Sequence, residues 1–172
     1  MIYISSDTSV WIDFATIERI DIPFRLPYTY IMNKDAIENE VLSPPGLGKQ
    51  LVTCGLRAVE ITIDEFILAE EFGSVYRKLS TYDRIALAIA KCRQIALLTG
   101  DKALRKAANQ EKVTVIGTLG ILDQLRNQRM ITEGELRICL RSLLENNGGA
   151  VRLPEGELRT RLESLPKEDE CD

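Results

Sequence analysis

Short apolar runs alternate with longer amphipathic segments along most of the chain. A strand-like pattern, with apolar residues alternating or in a compact run, occurs at 2–6, 28–32, 56–63, 95–98 and 113–116. Apolar residues recur at helical spacing at 10–17, 34–42, 64–79, 82–93, 102–109 and 119–128. Because strands separated by helices pair in parallel, the pattern predicts an α/β fold with a central five-stranded parallel sheet and helices on both faces.

The pattern becomes wholly helical beyond residue 128. Amphipathic segments at 133–145 and 155–165 flank the turn-forming sequence Asn146-Asn147-Gly148-Gly149. We expect one domain over residues 1–166, with a core at 1–128 and a helical C-terminal extension at 129–166. Residues 167–172 contain four acidic groups and one basic group, and are predicted to form a solvated acidic tail.

The 172 residues include no histidine, and this composition excludes several kinds of catalytic and metal site. This excludes Ser-His-Asp and Cys-His catalysis and zinc sites with imidazole ligands. The four cysteines form no Cys-x-x-Cys pair, and the longest apolar run, 85–90, has six residues. We therefore expect a cytoplasmic protein with reduced thiols and no membrane-spanning segment. If the protein is a hydrolase, carboxylates are the expected catalytic groups.

The net charge of −4 is unevenly distributed. Residues 1–80 carry a net charge of −5, whereas residues 81–166 carry +4. The second half is therefore where a polyanion would be expected to bind.

Several carboxylates follow predicted strands. Asp7 ends the first strand, Asp101 follows the fourth, and Glu40 lies on the helix after the second. Asp83 opens the helix that leads into the fourth strand. In parallel α/β sheets, ligands bind beyond the carboxyl ends of the strands, and clustered carboxylates there favour a hard divalent cation. A simpler interpretation stays open, in which Asp7, Asp83 and Asp101 are helix-capping residues and Glu40 is solvated.

Four motifs around these carboxylates resemble those of PIN-domain nucleases, in the bacterial stand-alone, toxin-like branch. The motifs are Ser-Asp-Thr-Ser-Val at 6–10, Ala-Ile-Glu-Asn-Glu-Val at 36–41, Leu-Ser-Thr-Tyr-Asp at 79–83 and Leu-Thr-Gly-Asp-Lys-Ala-Leu at 98–104. The segment 117–122, Gly-Thr-Leu-Gly-Ile-Leu, is also similar to the turn and helix after the last strand of bacterial members. The resemblance covers residues 1–128 and implies a PIN-like three-layer sandwich.

The resemblance also implies a function and a site. The function is metal-dependent hydrolysis of RNA phosphodiester bonds, by the toxin of a type II toxin–antitoxin module that forms a homodimer and binds a small antitoxin. The residues assigned to the catalytic site, which would hold Mg²⁺ or Mn²⁺, are Asp7, Glu40, Asp83 and Asp101. Supporting roles fall to Ser9 and Thr99, and contacts with RNA phosphates fall to Arg84, Lys102 and Arg105. Glu38 is an alternative to Glu40, whose Glu-Val-Leu context fits the motif better.

Two other classes of function stay open. One is a non-catalytic PIN-like protein that binds nucleic acid or serves as a scaffold. The other is an unrelated aspartate-based phosphohydrolase of α/β fold; in the haloacid-dehalogenase type a second aspartate would stand where Ser9 is found. Some PIN domains carry an acidic residue where this chain has Gly100, which could leave only one well-held metal.

Aromatic and aliphatic residues outside these motifs are expected to lie mainly in the core. For the apolar positions of the predicted helix 64–79, contact with a partner protein is the alternative. These positions are Phe66, Ile67, Phe72 and Val75. Trp11 is likewise expected in the core or at a dimer contact rather than stacked on a base.

Overall fold

The computed structural model describes residues 1–40 and 44–167. Its five strands are β1 (Ile2–Ser6), β2 (Tyr28–Asn33), β3 (Arg57–Val59), β4 (Ala96–Leu98) and β5 (Val115–Ile116). They form one sheet in the order β3-β2-β1-β4-β5, and every neighbouring pair is parallel. The predicted five-stranded parallel sheet is confirmed. The strand order reverses between β1 and β4, so the ends of these two strands mark the usual ligand-binding crevice.

Helices cover both faces of the sheet. They are α1 (Ser9–Thr16), α2 (Lys34–Asn39), α3 (Leu47–Cys54), α4 (Ile63–Val75), α5 (Thr81–Arg93), α6 (Lys102–Gln110), α7 (Thr118–Asn127), α8 (Glu133–Glu145) and α9 (Glu155–Glu163). Leu97 belongs to the hydrophobic core beneath α4, α5 and α6, whereas the adjacent Leu98 belongs to the core beneath α1, α7 and α8. Because successive side chains of a strand point to opposite faces, these two cores lie on opposite sides of the sheet.

The structure corrects several predicted boundaries. The strand predicted at 56–63 is reduced to β3, because Thr62 and Glu65 form a capping box that begins α4 at residue 63. Helix α3 was not predicted, since Pro44-Pro45-Gly46 was interpreted only as the end of the preceding helix. Gly46 adopts a left-handed φ of 82° and leads directly into α3. The predicted helix 34–42 is observed as α2, and residues 41 and 42 lie outside the described residues.

The expectation of a core position was wrong for three residues of α4. Phe66, Ile67 and Val75 are 53%, 50% and 68% exposed, whereas Phe72 is buried. Apolar residues lie around most of the circumference of α4, and the helix packs mainly against α5, so these three side chains stay exposed. Trp11 is fully buried in the core, as expected, and its indole N–H donates to Ser6 Oγ (3.1 Å).

The C-terminal extension shares the core of the first 128 residues. Leu140 and Leu143 of α8, Val151 and Leu158 are all fully buried in the cluster that contains Trp11. The sequence also predicted reduced cysteines and an acidic tail. The thiols of Cys54, Cys92 and Cys139 are free. Of the predicted acidic tail 167–172, residues 168–172, including the fourth cysteine, lie outside the described residues. In residues 1–40 and 44–167, every helix is too short or too polar to cross a lipid bilayer.

Candidate active site

Asp7 lies where β1 ends, at the carboxyl edge of the sheet. Its backbone N–H donates to the carbonyl oxygen of Leu98 (3.1 Å), at the end of β4. One carboxylate oxygen, Oδ1, accepts from the backbone N–H of Ser9 (3.0 Å) and from the Ser9 hydroxyl (2.7 Å). The other oxygen, Oδ2, accepts from the Thr99 hydroxyl (2.6 Å). The carboxylate is therefore held between the ends of the two central strands.

The two hydroxyls that hold Asp7 are themselves fixed by the loop between β4 and α6. The Ser9 hydroxyl oxygen accepts from the backbone N–H of Gly100 (2.7 Å), and that of Thr99 accepts from the backbone N–H of Asp101 (3.1 Å). Each hydroxyl accepts from the loop and donates to Asp7, so its proton has a fixed direction. Both residues predicted to support the site thus contact the first predicted carboxylate.

Burial dominates the electrostatics of Asp7, which is only 6% exposed. Loss of hydration raises the pKa of this carboxyl to about 7, against the lowering effect of the hydrogen bonds from Thr99 and Ser9. The negative charge of Asp83 adds to the rise. A buried carboxyl with a pKa near neutrality, at the crevice of a parallel sheet, is typical of a functional site.

Asp83 and Asp101 cap helices and face the same edge of the sheet. Asp83 Oδ2 accepts from the backbone N–H of Ser80 (2.9 Å), completing the capping box of α5. Asp101 Oδ1 accepts from the backbone N–H of Leu104 (2.8 Å) as the N-cap of α6. The capping interpretation is therefore correct for both residues. Their second oxygens, Asp83 Oδ1 and Asp101 Oδ2, accept no hydrogen bond from the described residues, so capping leaves one oxygen of each for a ligand.

Glu40 lies closer to this group than Glu38 does. The Glu40 carboxylate accepts from the hydroxyl of Thr8 (3.4 Å), the residue that follows Asp7. Burial raises the pKa of Glu40, and the charge of Asp83 raises it further. Glu38, by contrast, is exposed to solvent. Of the two glutamates in the second motif, the structure brings Glu40 to the edge where Asp7 lies.

The four carboxylates form a chain of mutually repelling charges. Asp83 is central to it, because its charge acts on both Asp7 and Glu40, while burial and then the charge of Asp101 raise its own pKa. No described basic residue forms an ion pair with any of the four carboxylates. Within the described ranges, no three of these side chains lie close enough together to hold a metal ion as they stand. Uncompensated oxygen donors of this kind suit a hard divalent cation, which could also draw them together.

The predicted RNA contacts differ in their surroundings. Lys102 lines a cavity of about 820 Å³ together with Ser9 and Asp101, and Arg105 lines an adjoining cavity of about 470 Å³. Arg84 folds back onto its own helix, where its guanidinium donates to the Ser80 carbonyl oxygen (3.3 Å) and to the Thr81 hydroxyl (3.0 Å). Lys102 and Arg105 are therefore the better placed for a ligand at the acidic edge.

A buried polar pair that the sequence patterns did not predict lies beside the site. Asp13 lies in α1, one turn after Ser9, and accepts from the hydroxyl of Thr118 at the start of α7 (2.5 Å). Burial raises the pKa of Asp13 to about 6, and its side chain lines the larger cavity. The available signal was its helical spacing from Ser9, which places both residues on the inward face of α1.

A parallel sheet whose crevice edge carries four acidic side chains is a framework that metal-dependent α/β nucleases use. The family model described as a PIN domain matches residues 3–166, and the chain belongs to the PIN-domain family. No curated protein and no solved structure matches the chain. The protein thus has the fold of a nuclease-type hydrolase, in a family that generally depends on divalent metals. The match also includes the C-terminal extension, and family membership excludes the unrelated phosphohydrolase.

Proposed function

We propose that this protein is a metal-dependent endoribonuclease that hydrolyses phosphodiester bonds in RNA. The supporting observation is the uncompensated acidic edge, in which a buried carboxylate with a pKa of about 7 lies near further carboxylates. Concentrating like charges in this way destabilises a fold, so a ligand that neutralises them is the simplest reason for the arrangement.

The carboxylate oxygens are the donor type that Mg²⁺ and Mn²⁺ take, and such an ion would have to draw the side chains closer together than they lie in the structure. The ion would be held by Asp7, Asp83 and Asp101. Glu40, which accepts a hydrogen bond from Thr8, would be a further ligand. When bound, such an ion supplies an activated water and stabilises negative charge on the phosphate. Ser9 and Thr99 keep the Asp7 carboxylate in one orientation through three hydrogen bonds. With no histidine in the chain, the proton for the leaving oxygen would come from solvent.

Binding of RNA to this edge requires positive charge, because the carboxylates repel phosphates. Lys102 directly follows Asp101, and Arg105 lies one turn further along α6, so both could contact phosphates beside the reacting bond. Arg84 would contribute only after releasing its hydrogen bonds to Ser80 and Thr81.

We also propose that the protein is the toxin of a type II toxin–antitoxin module, and that it is a homodimer whose activity is restrained by a small antitoxin. The exposed apolar side chains of α4 support such protein contacts, since Ile63, Phe66 and Ile67 are each at least half exposed. Induced expression of the wild-type protein should arrest the growth of a bacterial host, whereas expression of Asp7→Asn should not. Light scattering on the purified protein measures whether it is a dimer.

Cleavage of a labelled single-stranded RNA tests the enzymatic proposal. After metal removal and addition of Mn²⁺, the wild type should cut internal bonds, and Asp7→Asn should lower the rate more than about a hundredfold, as expected for loss of a direct metal ligand. Asp64→Asn, an exposed change of the same kind in α4, should leave the rate unchanged. Equal cleavage by the wild type and Asp7→Asn would end the assignment. RNA binding without cleavage would favour the non-catalytic alternative.

A further inference from the structure

The C-terminal extension forms one wall of a groove that leads away from the acidic edge. The cavity of about 820 Å³ contains Ser9 and Asp101, and the cavity of about 470 Å³ contains the start of α7 and Arg105. The residues that line both cavities are Gly100, Lys102, Arg152, Leu153 and Pro154. Because the two cavities share these residues, they are adjoining parts of one groove between α6 and the loop that joins α8 to α9.

The loop that forms this wall is held in a defined conformation. The Asn147 side chain donates to the Leu153 carbonyl oxygen (2.9 Å) and accepts from the Leu153 N–H (2.9 Å). The backbone N–H of Gly148 donates to the carbonyl oxygen of Val151 (2.9 Å), and the Val151 side chain is fully buried. Arg152 is exposed between these two anchored residues, so its backbone is fixed while its side chain lines the groove.

Three basic side chains of the groove have no ion-pair partner among the described residues, although acidic side chains line the groove as well. Lys102, Arg105 and Arg152 line it, and none of them forms an ion pair with a described residue. Arg161, which also lines the groove, is by contrast paired with Asp123 (2.7 Å). Free cations along a groove that begins at a candidate hydrolytic site are suited to a chain of phosphates.

We infer that this groove binds a single strand of RNA next to the reacting bond, and that Arg152 of the extension contacts one of its phosphates. The inference rests on the proposed ribonuclease function and gives the extension a role in substrate positioning. The volume of each part suits a few unpaired nucleotides, which can present both bases and phosphates to protein side chains. Leu153 and Pro154 offer apolar surface beside Arg152 for the bases.

Equilibrium binding in EDTA, where the proposed cleavage is blocked, tests the role of Arg152. The probe is a fluorescent single-stranded RNA of about 12 nucleotides, within the range of single-strand binding sites, titrated at several salt concentrations. Arg152→Gln should weaken binding about three- to tenfold and reduce the slope of log K against log[salt] by about 0.7, the loss of one phosphate contact. Arg152→Lys should keep the wild-type slope, and the duplex of the same sequence should bind more weakly.

Arg57→Gln is the matched control, because Arg57 is an exposed arginine of β3 at the opposite edge of the sheet. It removes the same charge and should leave both affinity and slope unchanged. If the wild type binds the RNA and Arg152→Gln binds it with the same affinity and the same salt slope, the inference is wrong, while the proposed function still stands. A wild type that neither binds nor cleaves RNA would overturn both.

Discussion

At the scale of single residues, Asp7 illustrates how a functional group can oppose folding. Its carboxyl has a pKa of about 7 in the folded protein, against an ordinary value of 3.8, because burial disfavours the charged form. The folded state therefore binds this proton more tightly than the unfolded state does. Stability from this group is present below about pH 4 and is lost as the pH rises through about 7.

We expect Asp7→Asn to be more stable than the wild type at pH 8, by about 1–3 kcal/mol after allowance for relaxation around the buried charge. The difference should shrink toward zero as the pH falls below about 4, where Asp7 becomes protonated in the unfolded state as well as in the folded state. Urea unfolding in EDTA, followed by the fluorescence of Trp11, measures both values. A variant that is less stable than the wild type at pH 8 would show that the hydrogen bonds of Asp7 outweigh its burial.

At the scale of elements, the N-termini of α5 and α6 orient two of the proposed metal ligands. Ser80 and Asp83 form a capping box at the start of α5, and Asp101 caps α6. These caps were visible in the sequence, because a cap depends on residues only three positions apart. Helix α3 was not visible, since Pro and Gly commonly end helices and here Gly46 precedes one.

Removing the Ser80 cap of α5 tests whether this helix end contributes to metal binding as well as to the stability of the fold. Ser80→Ala should lower the free energy of unfolding by about 1 kcal/mol, because the backbone N–H of Asp83 loses the hydroxyl that accepts from it. It should also raise the Mn²⁺ concentration needed for half-maximal cleavage, because the first turn of α5, which carries the Asp83 carboxylate, is then held less firmly. Thr132→Ala is the control, since it removes the equivalent capping box at the start of α8. It should cost similar stability without changing the metal dependence. An equal metal dependence in both variants would argue against a metal-binding role for Asp83.

At the scale of the whole molecule, the extension is joined to the sheet by both apolar and ionic contacts. Leu140 of α8 is fully buried in the core that contains Trp11. Glu135, at the start of α8, pairs with Arg25 (3.0 Å) and Arg19 (3.3 Å), and Arg25 above all lowers the pKa of this glutamate to about 2. A shared core of this kind predicts that residues 1–166 unfold as one cooperative unit.

We expect Leu140→Ala to lower the free energy of unfolding by about 2–5 kcal/mol, the range for truncating a buried leucine. Because the core is shared, the change should move the whole transition. Trp11 fluorescence, which reports on α1, and far-ultraviolet circular dichroism, which reports on all helices, should give one coincident urea transition in both proteins. Separate transitions, with only part of the helical signal lost early, would mean that the extension is an independent domain.

The sequence alone determined the order of most elements, the parallel sheet and the four candidate carboxylates. These features depend on local periodicity and on motifs of a few neighbouring residues, such as the segment that contains Asp101. Tertiary structure alone decided the burial of Asp7, because its hydroxyl partner Thr99 lies 92 positions away. It also decided between Glu38 and Glu40, left Phe66 exposed, and placed Arg152 in a groove with Lys102. Each of these outcomes depends on which distant elements pack together, and a pattern of neighbouring residues does not contain that information.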